Sequence, residues 1–251
     1  MKGKIKNKRL KVIACIQARM GSLRLKKKAL KKILGKTIIE HILKRLKAAK
    51  EIDEIVLSTS LKKGNNSLVK HAKDIGLRYY RGSEEDLISR LCETAKKFKA
   101  DALVRVTGDC PLVDPDLVDK LVRIYRRHPK KFDYLTNIFP RAFPDGFDLE
   151  IYPFPTLSLL SKKINKNSPY RESFPSYILK NEKNFRIFNL KNKENLSSFR
   201  LTLDYKNDLE LISQIFEILG KNGRIFKLKP IIKLLKQKPN LIKINKKYAI
   251  Y

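Results

Sequence analysis

Short apolar runs alternate with helical hydrophobic spacing through the first half of the chain. Buried strands are predicted where such runs have strand length, at residues 11–17 (KVIACIQ), 54–60 (EIVLSTS), 78–80 and 101–107 (DALVRVT). Helices are predicted where apolar residues recur every three or four positions, at 38–49, 66–75, 84–98 and 115–127. Thr37 and Asp114 are expected helix caps.

This strand–helix alternation with short connections predicts an α/β fold. We expect a Rossmann-like, mostly parallel sheet flanked by helices on both faces. In such a sheet, ligands bind beyond the carboxyl ends of the strands. The loops that follow Gln17 and Thr107 are therefore expected at the ligand edge.

The pattern becomes less regular after residue 132. Strands are predicted at 133–136, 148–151, 185–190 and 198–203, and helices at 156–164, 170–180 and 208–219. We interpret residues 132–200 as a small inserted α+β lobe, on the ligand or dimer side of a single domain at 11–220. A basic leader at 1–10 precedes this domain, and a lysine-rich helical tail with a loose end follows at 221–251.

The composition indicates a globular protein with a large excess of positive charge. Hydrophobic residues make up 42% of the 251 residues, while 57 Lys and Arg against 25 Asp and Glu give a net charge of +32. The basic residues are spread along the chain, which favours a solvated basic surface over a specific nucleic-acid site. No apolar stretch approaches the roughly 18 residues of a membrane span.

The cysteines indicate a reducing compartment. Cys15, Cys92 and Cys110 are far apart and lack metal-site spacing, so they predict neither a disulfide framework nor a zinc site. We therefore expect a soluble, cytoplasmic protein.

The loop after the first strand carries many cations. Residues 17–28 read QARMGSLRLKKK. Gly21 permits close backbone approach, and the arginines and lysines can form charge-assisted hydrogen bonds to phosphate oxygens. The loop therefore suits a polyphosphate, with an ordinary solvated basic loop as the alternative.

An acidic residue is expected to face this loop. The strand at 101–107 is followed by Gly108 and Asp109. A carboxylate beside a phosphate-binding loop suits magnesium, which is usually shared between protein carboxylates and substrate phosphates. The alternative is that Asp109 only caps a turn. Cys110 has no histidine near it in sequence to make it a nucleophile.

These segments resemble the acylneuraminate and deoxy-octulosonate cytidylyltransferase family, most closely its spore-coat-polysaccharide branch. The opening motif of that branch is approximately QARMGSxRLPGKxL, and here Lys26 and Lys27 replace its Pro-Gly. The resemblance implies that nucleotide phosphates are held by this loop, with candidates Gln17, Ala18, Arg19, Gly21, Ser22, Arg24 and Lys28.

Two more motifs carry the resemblance to the metal site. Residues 105–114 (RVTGDCPLVD) contain the family's GDxP motif, whose aspartate is a metal ligand, so Asp109 takes that role and Thr107 and Gly108 are nucleotide-site candidates. Residues 198–212 resemble RLTxDxPxDLxLI, in which Asp204 matches the second metal carboxylate. Asp208 is expected to cap the next helix.

A further segment resembles the family's cytosine-reading loop. Residues 81–90 (RGSEEDLISR) are similar to RGSEDDVLxR, so Arg81, Gly82 and Ser83 are candidates for nucleotide contact. Ser83 followed by Asp86 fits a helix cap equally well.

The acceptor side has the remaining matches. Residues 141–150 (RAFPDGFDLE) resemble RTFPDGLDVE, and 171–177 resemble REHVTPY with Ser173 in place of histidine. The resemblance implies substrate contacts from Asn137, Arg141, Asp145, Glu150 and Arg171. Arg141 and Arg171 are candidates for a bidentate clamp on a substrate carboxylate, with structural roles as the alternative.

Together the motifs imply a magnesium-dependent enzyme that transfers CMP from CTP to an acidic sugar for surface polysaccharide or glycan synthesis. Catalysis would depend on Arg19, Arg24, Lys28, Asp109 and Asp204, and similar enzymes are commonly homodimers. One alternative is a nucleotidyltransferase of the same fold with another nucleotide or a non-sugar acceptor. The other is a basic nucleic-acid-binding protein with a decayed enzyme site, against which the intact aspartates argue.

Overall fold

The first half of the chain folds as the predicted alternation of strands and helices. A computed structural model describes residues 9–249, apart from the side chain of Asn222. Its elements up to residue 127 are β1 (Val12–Gln17), β2 (Lys32–Ile33), β3 (Lys36–Thr37), α1 (Ile38–Lys47), β4 (Glu54–Ser60), α2 (Asn66–Asp74), β5 (Arg78–Gly82), α3 (Leu87–Lys97), β6 (Ala102–Thr107) and α4 (Pro115–Arg127). Both predicted caps are present, since Thr37 accepts a hydrogen bond from the backbone of Glu40 and Asp114 accepts one from Asp116.

The second half extends the same sheet. Its elements are β7 (Tyr134–Thr136), β8 (Glu150–Pro153), α5 (Phe154–Lys163), α6 (Phe174–Lys180), β9 (Ile187–Asn189), α7 (Lys206–Leu219), α8 (Leu228–Gln237) and α9 (Pro239–Lys243). Within residues 9–249, seven strands form one sheet in the order β5-β4-β1-β6-β8-β7-β9. The predicted lobe at 132–200 thus supplies strands to the main sheet, and its part in dimer formation stays a prediction.

The sheet has a crossover that defines a ligand crevice. β1 is parallel to both β4 and β6, and β5 is parallel to β4, whereas β8 is antiparallel to β6. The chain passes from β1 outward to β4 and β5, then returns to β6 on the other side. The crevice beyond the carboxyl ends of β1 and β6 is therefore the switch point at which ligands bind in open α/β sheets. The predicted fold class is confirmed.

Helices cover both faces of the central strand. Residues 12–16 of β1 have no exposed surface. Val12, Ala14 and Ile16 belong to one apolar cluster with α1, α4 and α7, while Ile13 and Cys15 belong to another with α3, α5 and α6. This two-sided burial explains why β1 is a continuous apolar run and not an alternating one.

The predicted strand at 198–203 is wrong. Apart from one isolated bridge, the segment is an extended loop. Leu201 and Leu203 are buried, which explains the strand-like pattern. However, the backbone of this loop pairs with other loops, as where the Leu203 nitrogen donates to the Asp109 carbonyl at 2.9 Å. This contact brings two distant parts of the chain together at the ligand edge.

Two helices differ most from their predicted bounds. The helix predicted from residue 84 begins at Leu87, because the Asp86 carboxylate accepts the Ser89 backbone nitrogen at 2.9 Å and caps it. The helix predicted at 170–180 is split into a 3-10 turn at Pro169–Arg171 and α6. Proline lies in the first turn of each piece, where its missing N–H is tolerated.

The carboxyl-terminal tail packs against the domain. α8 buries a row of apolar residues in the larger core cluster, and its first backbone nitrogen, of Leu228, donates to the Asp114 carboxylate at 2.8 Å. Asn245 is only 2% exposed, so the tail is packed at least as far as this residue, and a loose end beyond it stays a prediction. The basic leader lies almost entirely outside the described residues. Among the described residues, no helix has the length and apolarity to cross a membrane.

Candidate active site

The ends of β1 and β6 touch at the centre of the crevice. The Gly108 nitrogen donates to the Gln17 carbonyl at 2.8 Å. A Cβ atom added at Gly108 would lie 2.7 Å from the Cβ of Ala18 and 3.1 Å from that carbonyl. Glycine is therefore required here by space, because the two loops approach more closely than any side chain permits. This contact aligns the cationic loop with Asp109.

Four charged side chains meet beside this contact. The Lys28 ammonium donates to Asp109 Oδ2 at 2.7 Å and to Asp204 Oδ1 at 2.9 Å, and Arg24 Nη2 lies 3.0 Å from the same Asp204 oxygen. Burial alone would raise the pKa of Asp204, but Lys28 and Arg24 outweigh it and hold that pKa below its usual value. Asp204 therefore stays ionised at neutral pH.

Two cavities share three members of this charged cluster as a common wall. The first, of about 420 Å³, is lined by most of the predicted nucleotide residues and extends along Gln17, Ala18, Arg19, Gly21, Ser22, Arg24, Lys28, Thr107, Gly108, Asp109 and Asp204. The second, of about 650 Å³, lies toward β8 and the carboxyl-terminal tail. Arg24, Asp109 and Asp204 line both. A molecule in one cavity can thus reach a molecule in the other across the two aspartates.

The outer part of the cationic loop is held by polar contacts from neighbouring elements. The Met20 nitrogen donates at 2.7 Å to Oδ1 of Asn65, the residue just before α2. The Arg19 guanidinium, which is half-exposed, lies between Glu84 Oε1 at 3.5 Å and Glu172 Oε1 at 2.8 Å. Because such exposed pairs contribute little energy, Arg19 can exchange these carboxylates for a phosphate at small cost.

Arg81, Gly82 and Ser83 lie outside the lining of the first cavity. Arg81 donates to backbone carbonyls at the end of β4, including that of Ser60 at 3.1 Å. The Ser83 hydroxyl accepts the Asp86 nitrogen at 3.0 Å. The structure thus gives Ser83 the turn-stabilising role at the start of α3, while Asp86 itself caps the helix. Base contacts by these three residues stay predictions.

The five predicted acceptor residues separate into two groups. Asp145 and Glu150 line the second cavity. Asn137 is fully buried, with its amide bonded to the backbone of Phe147 and Leu149 at 2.7 and 2.8 Å. The structure does not bring it to the cavity.

The two arginines of the predicted clamp have other partners in this structure, and their role as a clamp stays a prediction. Arg171 is buried and donates to the carbonyls of Ser161 and Ile164 and to the side chain of Asp86. Arg141 forms a two-bond pair with the Asp148 carboxylate, one bond at 2.9 Å, and lies outside the cavity lining. Both guanidinium groups stabilise the local structure, and neither lines the second cavity.

Two other arginines, which were not predicted as site residues, line the second cavity. Arg105, on β6, donates to Gln17 Oε1 at 2.6 Å and pairs with the buried Glu150. Arg200 contacts Asp145, Asp204 and Asp208 at 3.0–3.2 Å. The signal for Arg105 was a charge inside an otherwise apolar strand, which requires a buried partner.

Asp109 and Asp204 fit a divalent cation shared with a substrate. Both already bind one cationic nitrogen within 3 Å, so their carboxylates converge on a single point. No cluster of three or more His, Cys, Asp or Glu side chains within residues 9–249 could hold a metal by itself. Two carboxylates leave positions for phosphate oxygens and water, which is the usual arrangement for magnesium.

Asp145 makes stability depend on pH. Burial and the nearby Asp148 raise its pKa from 3.8 to about 6, although Arg141 and Arg200 act in the opposite direction. Because the folded-state pKa is the higher one, folding favours the protonated acid, and its contribution is lost as pH rises from about 4 to 6. We expect wild type to lose about 2 kcal/mol relative to Asp145→Asn over this range. Urea unfolding of both proteins at several pH values measures this difference, and parallel curves would contradict it.

A cationic loop beside paired carboxylates can neutralise a triphosphate and its metal, and a second cavity across from it leaves room for an attacking group. The fold and this arrangement define the chain as a nucleotidyltransferase. Residues 13–215 match the sequence profile of the cytidylyltransferase family, and the chain belongs to that family.

Individual relatives agree with this assignment. The chain is 28% identical to the spore coat polysaccharide biosynthesis protein SpsF of Bacillus subtilis, over 91% of this chain and 95% of SpsF. It superposes with a TM-score of 0.88 on a cytidylyltransferase from Leptospira borgpetersenii, at 33% identity, covering 93% of this chain and 97% of the other. A CMP:2-keto-3-deoxy-manno-octonic acid synthetase solved with CTP shares the fold, with a TM-score of 0.62 at 20% identity over 83% of this chain and 99% of the other.

Proposed function

We propose that this cytidylyltransferase transfers CMP from CTP to a hydroxyl group of an acidic sugar and releases pyrophosphate. The observation that carries the proposal is the pair of cavities that meet at Asp109 and Asp204. One has the cations that a triphosphate needs, and the other has the volume and polar lining that a sugar needs. The family membership and the motif resemblance supply the nucleotide and the class of acceptor.

The loop residues bind and orient the triphosphate. The Arg19 and Arg24 guanidinium groups offer paired donors to phosphate oxygens, and the Gly21 backbone lies open on the cavity wall. Since phosphoryl-type transfer needs mainly positioning and charge neutralisation, these contacts supply much of the catalysis. Ser22 adds one hydroxyl donor on the same wall.

Asp109 and Asp204 are proposed to hold one magnesium ion, which when bound would polarise the α-phosphate and offset the charge of the leaving pyrophosphate. The Lys28 ammonium bridges these two carboxylates. Because Lys28 also lines the first cavity, it can donate to bound phosphates instead. Lys28 thus holds the two carboxylates together before substrate binds.

The acceptor is proposed to lie in the cavity of about 650 Å³. Its carboxyl-bearing lining, Asp145, Asp148 and Glu150, can accept hydrogen bonds from sugar hydroxyls. Names of relatives point to the same chemistry, since SpsF is a polysaccharide biosynthesis protein and the octonic acid synthetase bears the name of an acidic sugar. We propose a role in polysaccharide or glycan synthesis on this basis.

A pyrophosphate-release panel tests the proposal. The four ribonucleoside triphosphates are each combined with neuraminic-, legionaminic-, pseudaminic- and octulosonic-type acids, with and without Mg²⁺. We expect release only with CTP, an acid and Mg²⁺ together. Release with another nucleotide, or with a non-sugar acceptor such as a polyol phosphate, would favour the related nucleotidyltransferase. No release, together with salt-sensitive binding to DNA or RNA, would favour the nucleic-acid alternative.

Cellular location and assembly complete the proposal. The described cysteines, Cys15, Cys92 and Cys110, are free and buried, which suits a reducing compartment. We propose that the enzyme acts in the cytoplasm. A homodimer stays a prediction from the family resemblance.

A further inference from the structure

The end of the chain forms part of the acceptor cavity. After α9, a 3-10 turn at Lys246–Tyr248 brings Lys247, Tyr248 and Ala249 into the cavity lining. These residues lie beyond the 13–215 segment that matches the family profile. The acceptor cavity is therefore bounded on one side by a segment outside the core enzyme.

This segment is anchored to the part of the chain that positions Asp204. The Asn245 amide, which is buried, donates to the Arg200 carbonyl at 3.1 Å and to Asp208 Oδ1 at 2.7 Å. The Asn207 amide donates to the Ile244 carbonyl at 2.8 Å. Buried polar groups with satisfied hydrogen bonds fix a segment in one place. The turn that follows is thus held at a defined distance from the catalytic aspartates.

Aromatic stacking fixes the side chain that covers the cavity. The Tyr248 ring stacks on Tyr205 with centroids 3.7 Å apart and planes within 2°. Tyr205 directly follows Asp204, and the Arg24 guanidinium lies over the Tyr205 ring, 5.1 Å from its centroid. Tyr248 is thereby held in the cavity wall next to the charged cluster.

Lys247 differs from the other cations that line this cavity. Arg24, Arg105 and Arg200 each lie within 3.2 Å of a cavity carboxylate. Within residues 9–249, Lys247 has no carboxylate within 4.0 Å, and its ammonium lies 4.9 Å from the ring centroid of Tyr248. An anionic acceptor must enter a cavity that already carries Asp145 and several other carboxylates, so it needs a cation whose charge is not already neutralised.

We propose that the carboxyl-terminal turn selects the acceptor. Lys247 pairs with the carboxylate of the incoming acid, and Tyr248 packs against its ring. The acidic class of acceptor rests on the function proposed above, whereas the participation of the tail rests on the contacts of Asn245, Tyr248 and Lys247. The tail thereby acts as a positioning and specificity element, and no step of the chemistry depends on it.

Steady-state kinetics of Lys247→Ala test this assignment. We expect KM for the acid that works in the panel to rise about tenfold or more, with KM for CTP and kcat nearly unchanged, because a lost charge-assisted hydrogen bond weakens binding by that order. Lys247→Arg should restore most of the affinity. Lys246→Ala is the matched control, since Lys246 is an exposed neighbour outside the cavity lining.

The possible outcomes separate the two proposals. An active wild type whose acceptor KM is the same in Lys247→Ala and Lys246→Ala would overturn the role of the tail and leave the proposed function intact. A fall in kcat with unchanged acceptor KM would also overturn it, since that would indicate a disturbed catalytic cluster. Absence of turnover with every acid in the panel would remove the proposed function, and this inference with it.

Discussion

Replacement of Asp109 by Asn is expected to lower kcat for pyrophosphate release about 10³-fold while the protein remains folded. The isosteric amide can still accept a hydrogen bond from Lys28, which now donates to Asp109 at 2.7 Å. It cannot supply the negative charge that a divalent cation requires, and loss of such electrostatic stabilisation costs two to three orders of magnitude or more. Initial rates at saturating CTP and Mg²⁺ measure the effect, with thermal unfolding as the test of folding.

Asp116→Asn provides the matched control for Asp109→Asn. Asp116 is an exposed carboxylate that also pairs with a lysine, Lys227 at 2.6 Å, but lies on α4 outside both cavities. Its replacement should leave kcat within about twofold of wild type, since surface substitutions rarely have larger effects. If Asp109→Asn and Asp116→Asn had similar rates, Asp109 could not be a metal ligand.

The central sheet could be predicted because its strands carry their information locally. β1, β4 and β6 are largely buried and each carries a short apolar run, so their positions follow from length and hydrophobicity. Because parallel strands end at one edge, the loops after β1 and β6 had to meet. The convergence of Lys28 and Asp109 follows from that topology and from the motif resemblance.

Residues that act through distant partners could not be predicted in the same way. The position of Arg105 depends on Glu150, and no local spacing connects the two. The apolar alternation at 198–203 agrees with the burial of Leu201 and Leu203, yet burial against loops and burial in a sheet produce the same pattern. The hydrogen bonds of Arg171 could not be foreseen for a related reason, since its partners lie just before α3 and just after α5.

Arg200 connects the catalytic cluster to the acceptor cavity and to the tail. Its guanidinium contacts Asp204 at 3.2 Å, Asp145 at 3.1 Å and Asp208 at 3.0 Å, and its carbonyl accepts the Asn245 amide. Asp208 has no exposed surface and also accepts the backbone nitrogen of Asp204 at 2.9 Å. One buried cation thus fixes Asp204, the proposed metal ligand, and neutralises the buried Asp208.

Arg200→Met is therefore expected to lower the free energy of unfolding by about 3–5 kcal/mol, because removal of one partner leaves a buried charge uncompensated. Urea unfolding at pH 7 measures this loss. Lys236→Met, which breaks an exposed pair with Glu194, should change stability by about 0.5 kcal/mol or less. The double variant Arg200→Met with Asp208→Asn should recover part of the lost free energy of unfolding, since it also removes the uncompensated charge of Asp208. Equal stability of Arg200→Met and Lys236→Met would show that Asp208 is satisfied without its arginine.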